Sequence, residues 1–397
     1  MNQTEEKRDS HLQKLKKEFR GLLYLFAGFL FHLLCPPRVR ENRILLFRPE
    51  RIGDYLVFTP LVRALREAYP THEIRIVVSS EIQALAQHTP GIDGLFIRER
   101  DRRYELKSRL KNLLEIRRWG AGTAIYPSQN REIWVDEMMI WSGAKKRIGL
   151  IGNTHMTRSW MLHLGQFAYT KILRMKPDTE MNNMGHILES LQPGKKIIPQ
   201  PYLGITEKGE KSVSSILNKY ELNPFGKEWV LIAPLAKDRI RRWKTEGFAE
   251  IIRKLYQTQG LATVLIGGPD DQEKLEEVLK QSGDTPVHIC AGTLPITELA
   301  ELASHAKLFL GVESGPLHFA TAAGTPSLCI MGGGLFGQFY PYGDPTRNRV
   351  ISNSLPCFGC KWKCIHETVR CLQEITVHQV WQEVSDLLDL HKNRDQD

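Results

Sequence analysis

Short apolar segments alternate with longer amphipathic segments along most of this chain, beginning at Ile44. The first series predicts strands at 44–47, 74–78, 95–97 and 123–126 and helices at 55–69, 81–88, 105–119 and 133–141. A second series predicts strands at 229–233, 262–266, 287–290, 308–310 and 327–330, and helices at 245–257, 272–281, 296–305 and 317–323. Such alternation is typical of parallel sheets covered on both faces, so we expect two Rossmann-like α/β halves.

The length of 397 residues suits two domains of ordinary size. We expect an N-terminal segment at 1–43, a first α/β domain at 44–205 and a second at 206–375, with a break near 205–225. Residues 150–182 have no clear period and are expected to form loops. A final helix within 376–397 is expected to pack back onto the first domain.

The N-terminal segment contains an apolar run of fifteen residues, from Gly21 to Cys35. A helix needs about 20 residues to span a bilayer, and Pro36-Pro37 ends the run without a signal-peptide cleavage site. Nine Lys/Arg against five Asp/Glu in the first 43 residues suit an anionic membrane face. We expect a monotopic helix with the protein body in the cytoplasm; a tilted span and a helix buried against the body are the alternatives.

Four of the seven cysteines lie close together in the sequence: Cys357, Cys360, Cys364 and Cys371. The first two have the spacing of a zinc-binding pair, but the second two do not repeat it. Persistent disulfides are not expected in a cytoplasmic protein. Packed thiols, a structural zinc site and disulfides all stay open.

Asp54 lies on a predicted strand-to-helix turn, in the segment Arg51-Ile52-Gly53-Asp54. In α/β proteins, ligands bind beyond the carboxyl ends of strands, where this turn lies. An Asp at the start of a helix also accepts backbone hydrogen bonds and matches the helix dipole. The position therefore suits helix capping as well as catalysis.

A second motif runs from Gly311 to Ala320, where a predicted strand ends and a helix begins. Pro316 suits the first helical position, and the N–H groups of Ser314 and Gly315 would then point outward, a geometry that binds phosphate. Glu313 can accept hydrogen bonds from sugar or ribose hydroxyls. A tight turn without a ligand is the alternative, and His318 is either a packed histidine or a site residue.

Arg241 and Arg242 follow the first strand of the second half and precede Trp243. Guanidinium groups at that sheet edge suit a diphosphate, whereas a solvated basic segment is the alternative. Trp243 is expected to pack against the next helix. Neither first strand is followed by a G-x-G-x-x-G segment, and there is no Walker loop, which weighs against dinucleotide oxidoreductases and P-loop enzymes.

Residues 98–118 contain nine Lys/Arg against four acids, within a net charge of +9 for the whole chain. This surplus suits phosphates and sugar acids on a glycan, or simply a solvated helix.

Taken in order, these motifs resemble glycosyltransferase family 9, the bacterial heptosyltransferases of lipopolysaccharide. The resemblance covers most of residues 44–385. It rests on Arg48-Pro49 with Arg51 to Asp54, Thr59-Pro60, Leu65-Arg66, His186 to Leu191, Arg241 to Trp243, Gly311 to Ala320 and the cysteine stretch ending near Cys371-Leu372.

This resemblance implies a GT-B fold, in which two Rossmann-like domains face each other across a cleft, with acceptor-side residues 44–205 and nucleotide-sugar-binding residues 206–375. It implies inversion at the anomeric carbon without a catalytic metal. Asp54 maps onto the general base and Arg241 onto a diphosphate clamp, and Glu313-Ser314-Gly315 map onto donor contacts. Glu313 stands where Asp is commoner, which leaves the donor sugar open.

We therefore expect transfer of heptose from ADP-heptose to a lipid-linked core acceptor, by a peripheral protein at the cytoplasmic face of the bacterial inner membrane. No nucleic acid and no cofactor are expected, apart from the zinc alternative. Transfer of a different sugar, a non-catalytic glycan-binding scaffold and a nicotinamide-dependent oxidoreductase are the alternatives. The expected donor contacts also include Arg242 and His318, and the expected acceptor contacts are Arg51, Arg98, Arg102 and Arg103.

Overall fold

A computed structural model gives the structure of the chain. It describes residues 36–99, 106–153, 159–176, 178–201, 228–292 and 294–394, together with residues 19, 21–23, 25–34, 203, 215 and 218. The chain divides into two compact units. The first comprises residues 1–51, 61–87 and 91–197, and the second comprises residues 52–60, 88–90 and 198–397.

The first unit is built on a six-stranded sheet in the order β3-β2-β1-β4-β5-β6. Its strands are β1 (Arg40–Phe47), β2 (Glu73–Ser79), β3 (Gly94–Arg98), β4 (Ala121–Tyr126), β5 (Lys146–Leu150) and β6 (Lys171–Leu173). The helices of this part of the chain are α1 (Ile52–Ala68), α2 (Gln83–Gln87), α3 (Leu106–Trp119), α4 (Ile133–Ser142), α5 (Ser159–Gly165) and α6 (Glu180–Leu191). Every strand pair is parallel, and Ile44 of β1 is in register with Ile74 and Thr123.

The second unit repeats this plan with the order β12-β11-β10-β7-β8-β9, again all parallel. Its strands are β7 (Trp229–Ala233), β8 (Ala262–Gly267), β9 (Val287–Ala291), β10 (Leu308–Val312), β11 (Ser327–Ile330) and β12 (Asn348–Ile351). Its helices are α7 (Thr245–Gln259), α8 (Gln272–Ser282), α9 (Ile296–Ser304), α10 (Gly315–Ala322), α11 (Arg370–Gln373) and α12 (Val377–Arg394).

The direction of strand addition reverses beside the first strand of each sheet. In the first sheet β2 and β4 flank β1, and in the second β8 and β10 flank β7. Such a switch point opens a crevice beyond the carboxyl ends of the two central strands, where α/β proteins bind ligands. Ligand-binding residues are therefore expected in the segments after β1 and β4 and in those after β7 and β10.

The predicted α/β class with two parallel sheets is confirmed, and every predicted strand is present. The expectation of loops at 150–182 is wrong in part, because α5, β6 and the start of α6 fall there. Strands β5 and β12 were not predicted. The expected break near 205–225 lies almost entirely outside the described residues, and the domain boundaries stay predictions.

The C-terminal helix differs from expectation in its packing. We expected it to lie on the first domain, but Val380, Val384 and Leu387 of α12 are buried in the same core as β7 and β10 of the second unit. Arg349 of β12 also forms a salt bridge of 2.9 Å with Glu383 of α12. The spacing of the three apolar residues gives α12 one buried face, and that face belongs to the second sheet.

Residues 21–23 and 25–34 of the N-terminal segment are helical. One side packs on the first unit: Leu25 is buried, and the Phe31 ring stacks on Trp141 of α4 with centroids 4.1 Å apart. The other side is apolar and 48–71% exposed, and it comprises Phe19, Leu23, Phe26, Phe29, Leu30, Leu33 and Leu34. Among the described residues, no helix combines the length and the apolar character needed to cross a bilayer.

Candidate active site

The segment after β10 forms the predicted turn. Ser314 has extended backbone angles (φ −154°, ψ 173°), and α10 begins directly after it with Pro316 in its first turn. The Ser314 side chain makes no capping hydrogen bond. A Cβ added at Gly315 would meet nothing within 4 Å, so the first N–H groups of α10 are open to a ligand.

Glu313 is buried immediately before this turn, with 4% of its surface exposed. Burial raises the pKa of its carboxyl to about 7, and the Arg241 guanidinium opposes that rise. Near neutral pH the carboxyl is therefore close to half ionised, and it can exchange a proton when a charged or hydroxylated ligand arrives.

Arg241 ends a short 3-10 turn, Arg239–Arg241, in the segment that follows β7. Its Nη2 donates to Asp238 at 2.8 Å. The neighbouring Arg242 donates from Nε to the carbonyl of Ala236 at 2.8 Å, so part of its guanidinium fastens the loop itself. The Nε of Arg241, in contrast, has no hydrogen-bond partner among the described residues, so Arg241 is the better placed of the two expected diphosphate contacts.

Trp243 packs as expected rather than facing a ligand. It is 4% exposed, and its Nε1 donates to the carbonyl of Ile375 at 3.1 Å. A Cβ at Gly247, in the first turn of α7, would lie 2.5 Å from the Trp243 ring, so only glycine fits there. This contact anchors the segment that carries Arg241.

Three polar atoms at this switch point are buried and have no hydrogen-bond partner in the part of the chain that the structure describes. They are Glu313 Oε2, Ser314 Oγ and Arg241 Nε. A buried polar atom without a partner costs about 1 to 3 kcal/mol. A carboxylate, a hydroxyl and a guanidinium gathered beside an open helix start form a site that a polar anionic ligand would complete.

His318 lies one turn into α10 and is 6% exposed. Its Nδ1 is 2.7 Å from the hydroxyl of Tyr342, and burial lowers the pKa of the imidazole to about 4. His318 is therefore neutral at physiological pH. Both sequence alternatives hold in part, because the ring is packed yet belongs to the candidate site.

Tyr342 was not predicted from the sequence. It lies 24 residues after His318 in the irregular loop between β11 and β12. Gly343 follows it with φ +80°, where a Cβ would lie 2.5 Å from the side chain of Asn348. No local motif marks the residue, since only the folding of this loop brings it to α10.

Asp54 lies in the first turn of α1, as the sequence predicted, and is partly exposed. Residues 52–60 belong to the second unit, and there Gly53 approaches α10 closely. A Cβ on Gly53 would be 3.0 Å from His318 Cδ2 and 4.0 Å from the Cα of Gly315. Glycine at 53 thus allows the turn that carries Asp54 to lie beside the turn after Glu313.

The expected acceptor contacts differ in their exposure. Arg51 is exposed. Arg98 is 3% exposed, with its guanidinium 4.3 Å from the centre of the Trp134 ring, so it is part of the first unit's interior rather than a surface contact. Arg102 and Arg103 lie outside the described residues.

The basic stretch 98–118 is also less of a surface feature than its composition suggested. Arg109 is buried and pairs with Glu137 of α4. Arg117 is buried too, and its guanidinium lies over the Phe31 ring with 5.2 Å to the centroid. These residues fasten α3 and the N-terminal helix to α4, whereas Lys111 and Arg118 are exposed.

The four clustered cysteines line one small cavity together with His366 and Trp362. They are free thiols, and Cys357 Sγ lies 4.0 Å from His366 Nε2. Within the described ranges, no group of three or more His, Cys, Asp or Glu side chains is arranged to hold a metal ion. The disulfide alternative is not supported, and a structural zinc stays a prediction.

Comparison with known proteins gives one family. The model of glycosyltransferase family 9 (heptosyltransferase) matches residues 194–368, which include Arg241, Glu313 to His318 and Tyr342. The predicted resemblance to this family is confirmed over these residues. Lipopolysaccharide heptosyltransferase 3 of Escherichia coli is 22% identical over 284 residues, which are 70% of this chain and 80% of that protein.

Solved structures agree on the fold. The glycosyltransferase family 9 protein of Veillonella parvula aligns with a TM-score of 0.73 and 20% identity, over 88% of this chain and 98% of its own. The E. coli ADP-heptose heptosyltransferase II aligns with a TM-score of 0.66 and 19% identity, over 88% and 99%. The chain therefore has the α/β fold of these heptosyltransferase structures.

Proposed function

We propose that this chain transfers heptose from ADP-heptose to a lipid-linked lipopolysaccharide core acceptor, with inversion and without a catalytic metal. The observation that carries the proposal is the set of unpartnered atoms Glu313 Oε2, Ser314 Oγ and Arg241 Nε at the second sheet's switch point. The donor supplies matching groups: a diphosphate for the helix start and Arg241, and sugar hydroxyls for Glu313. The E. coli structure named above is that of an ADP-heptose heptosyltransferase.

The chemistry follows from where charge develops. As the sugar–phosphate bond breaks, negative charge grows on the leaving diphosphate, and the N–H groups of α10 with Arg241 stabilise it. The acceptor hydroxyl attacks the opposite face of the anomeric carbon, and Asp54 takes its proton late in that step. The closeness of Gly53 to His318 supports this assignment, because it brings the turn of Asp54 to the donor side.

Arg51 is the acceptor contact that stays in this proposal, since it is exposed three residues before Asp54. Arg102 and Arg103 are kept as predictions. Arg98 is omitted, because its burial against Trp134 removes it from the surface.

A donor screen tests the activity. Purified protein is incubated with nucleotide sugars and core acceptors, with and without a chelator, and release of the nucleoside diphosphate is measured. We expect release from ADP-heptose that persists with chelator. Turnover of another donor alone would support transfer of a different sugar, and donor binding without turnover would support a scaffold. Each of these outcomes, or the absence of both binding and turnover, would refute the proposal.

Peripheral attachment to the cytoplasmic face of the inner membrane completes the proposal. The exposed apolar side of the N-terminal helix supports it, because contiguous apolar patches on soluble proteins mark interaction surfaces. In vesicle flotation with anionic lipid, replacing Phe26, Leu30 and Leu33 by Ser should weaken binding at least about a hundredfold, at about 1.5 to 3 kcal/mol for each buried side chain. The control replaces Tyr256 and Ile365, which are exposed in the second unit, by Ser, and it should leave vesicle binding unchanged. Equal binding by both variants would refute attachment through this helix.

A further inference from the structure

The hydrogen bond between His318 and Tyr342 has a defined direction. Burial lowers the pKa of His318 to about 4, so the imidazole is neutral and carries one N–H. Burial also raises the pKa of Tyr342 far above its usual range, so the phenol keeps its hydrogen. A phenol is a strong donor, and the lone pair of a neutral imidazole is a strong acceptor.

The surroundings of Tyr342 leave its hydrogen for His318. The Thr321 hydroxyl lies within reach of two acceptors, the Tyr342 oxygen and the carbonyl of Leu317 at 2.9 Å, and by donating to Tyr342 it leaves the phenol hydrogen for His318. The His318 and Tyr342 rings are nearly parallel, at 14°, with centroids 5.8 Å apart, and Nδ1 lies 2.7 Å from the phenol oxygen, within the range of a hydrogen bond.

The opposite edge of the imidazole faces the turn that carries Asp54. A Cβ on Gly53 would lie 3.0 Å from His318 Cδ2 and 3.5 Å from Nε2. Whatever Nε2 carries, a hydrogen or a lone pair, is therefore presented beside Gly53 and the start of α10. The hydrogen bond made by Nδ1 determines whether Nε2 carries the hydrogen or the lone pair.

We propose that Tyr342 is a positioning residue: it donates to His318 Nδ1 and so keeps the imidazole hydrogen on Nε2, directed at the donor substrate. This inference rests on the proposed transferase function and deepens it. The Nε2–H group is a neutral, fixed donor for a phosphate oxygen or a hydroxyl of the nucleotide sugar. Because its orientation is set before the ligand arrives, it needs no rearrangement as charge develops on the leaving group.

Tyr340→Phe is the matched control for Tyr342→Phe. Tyr340 is buried in the same loop, and its ring packs edge-on against Tyr342 with centroids 5.2 Å apart. Its hydroxyl, however, contacts the carbonyl of Arg349 and not His318. Both variants remove one buried hydroxyl, but only the change at 342 touches the histidine.

The first measurement is the ¹⁵N NMR spectrum of the histidines, with His318 assigned from the His318→Asn variant. We expect the Nε2–H tautomer in the unaltered protein and in Tyr340→Phe, and a mixture of tautomers in Tyr342→Phe. An Nδ1–H tautomer in the unaltered protein overturns the proposal even if the phenylalanine variants do not fold. An unchanged signal in Tyr342→Phe also overturns it.

The second measurement is turnover. Losing one fixed hydrogen bond in the transition state should lower kcat/KM for the donor about three- to tenfold in Tyr342→Phe and leave Tyr340→Phe unchanged. In His318→Gln the amide nitrogen replaces Nε2, so adding Tyr342→Phe there should cost nothing further; a further loss contradicts a role through His318. Absence of turnover in every variant, including the unaltered protein, counts against the transferase function, whereas the tautomer remains readable without turnover.

Discussion

Replacing Glu313 with Gln should stabilise the ligand-free protein and weaken its binding of the donor. The carboxyl is 4% exposed, and its pKa of about 7 lies above the ordinary value of 4.5. One pKa unit corresponds to about 1.4 kcal/mol, so ionising this buried group costs the folded protein about 3 kcal/mol. Glutamine keeps the shape and never carries the charge.

The sign follows from proton linkage. Between pH 4.5 and about 7 the folded protein holds a proton on Glu313 that the unfolded chain has released, so stability falls as pH rises through this window. Above pH 7 the full cost is present. The stability difference between the Gln variant and the unaltered protein should therefore grow by about 3 kcal/mol from pH 4.5 to pH 8.

Urea unfolding at pH 4.5, 6 and 8 measures that difference, and calorimetry with ADP-heptose measures binding at pH 8. We expect the variant to be more stable at pH 8 and to bind the donor at least about tenfold more weakly, since a neutral amide accepts hydrogen bonds less strongly than a carboxylate. A substitution that stabilises the protein but weakens ligand binding is the pattern expected at a binding residue.

Glu301→Gln is the control. Glu301 is also buried, with a raised pKa caused mainly by burial, but it lies on α9 beside His305. Its replacement should leave donor binding unchanged. A Glu313→Gln variant with pH-independent relative stability would refute the buried-charge argument, and unchanged donor affinity would refute the assignment of the site.

Two further predictions concern charged side chains. Arg241→Lys should weaken donor binding about tenfold, because lysine cannot form the two parallel hydrogen bonds that a guanidinium offers a phosphate; Arg239→Lys, in the same turn but exposed, should have no effect in the same calorimetric assay. Arg48→Ala should lower the free energy of unfolding by about 3 to 5 kcal/mol, because it removes one side of the buried ion pair between Arg48 and Glu180, whose atoms are 2.5 Å apart. Equal loss in both arginine-to-lysine variants, or an Arg48→Ala cost near zero in urea unfolding, would contradict these assignments.

Strands that are buried on both faces are readily predicted from the sequence. All five residues of β7 and of β10 are buried, so each is a continuous apolar run. Strand β5 begins with the exposed Lys146 and the half-buried Arg147, so its sequence is not a continuous apolar run and did not predict a strand. Strand β12, Asn-Arg-Val-Ile at the sheet edge, was missed for the same reason.

The candidate site divides in the same way. Asp54, Glu313, Ser314 and Gly315 lie on local turns whose geometry follows from neighbouring residues, so the sequence could predict them. Tyr342 could not be predicted, because its partner is 24 residues away.

Arg98 illustrates the opposite error. Its charge suggested the surface, yet its guanidinium lies over Trp134 in the first unit's interior. Composition gives the number of charged residues but does not show which of their side chains are buried.

The most direct test of the account is the turnover of ADP-heptose by Asp54→Asn. Asparagine keeps the size of the side chain and its capping oxygen, but it cannot take the proton of the acceptor hydroxyl. The account predicts donor affinity within about twofold of the unaltered protein by calorimetry and a kcat at least about a hundredfold lower. Undiminished turnover, or a loss of turnover that merely follows a loss of donor binding, would contradict the role of Asp54 as the base.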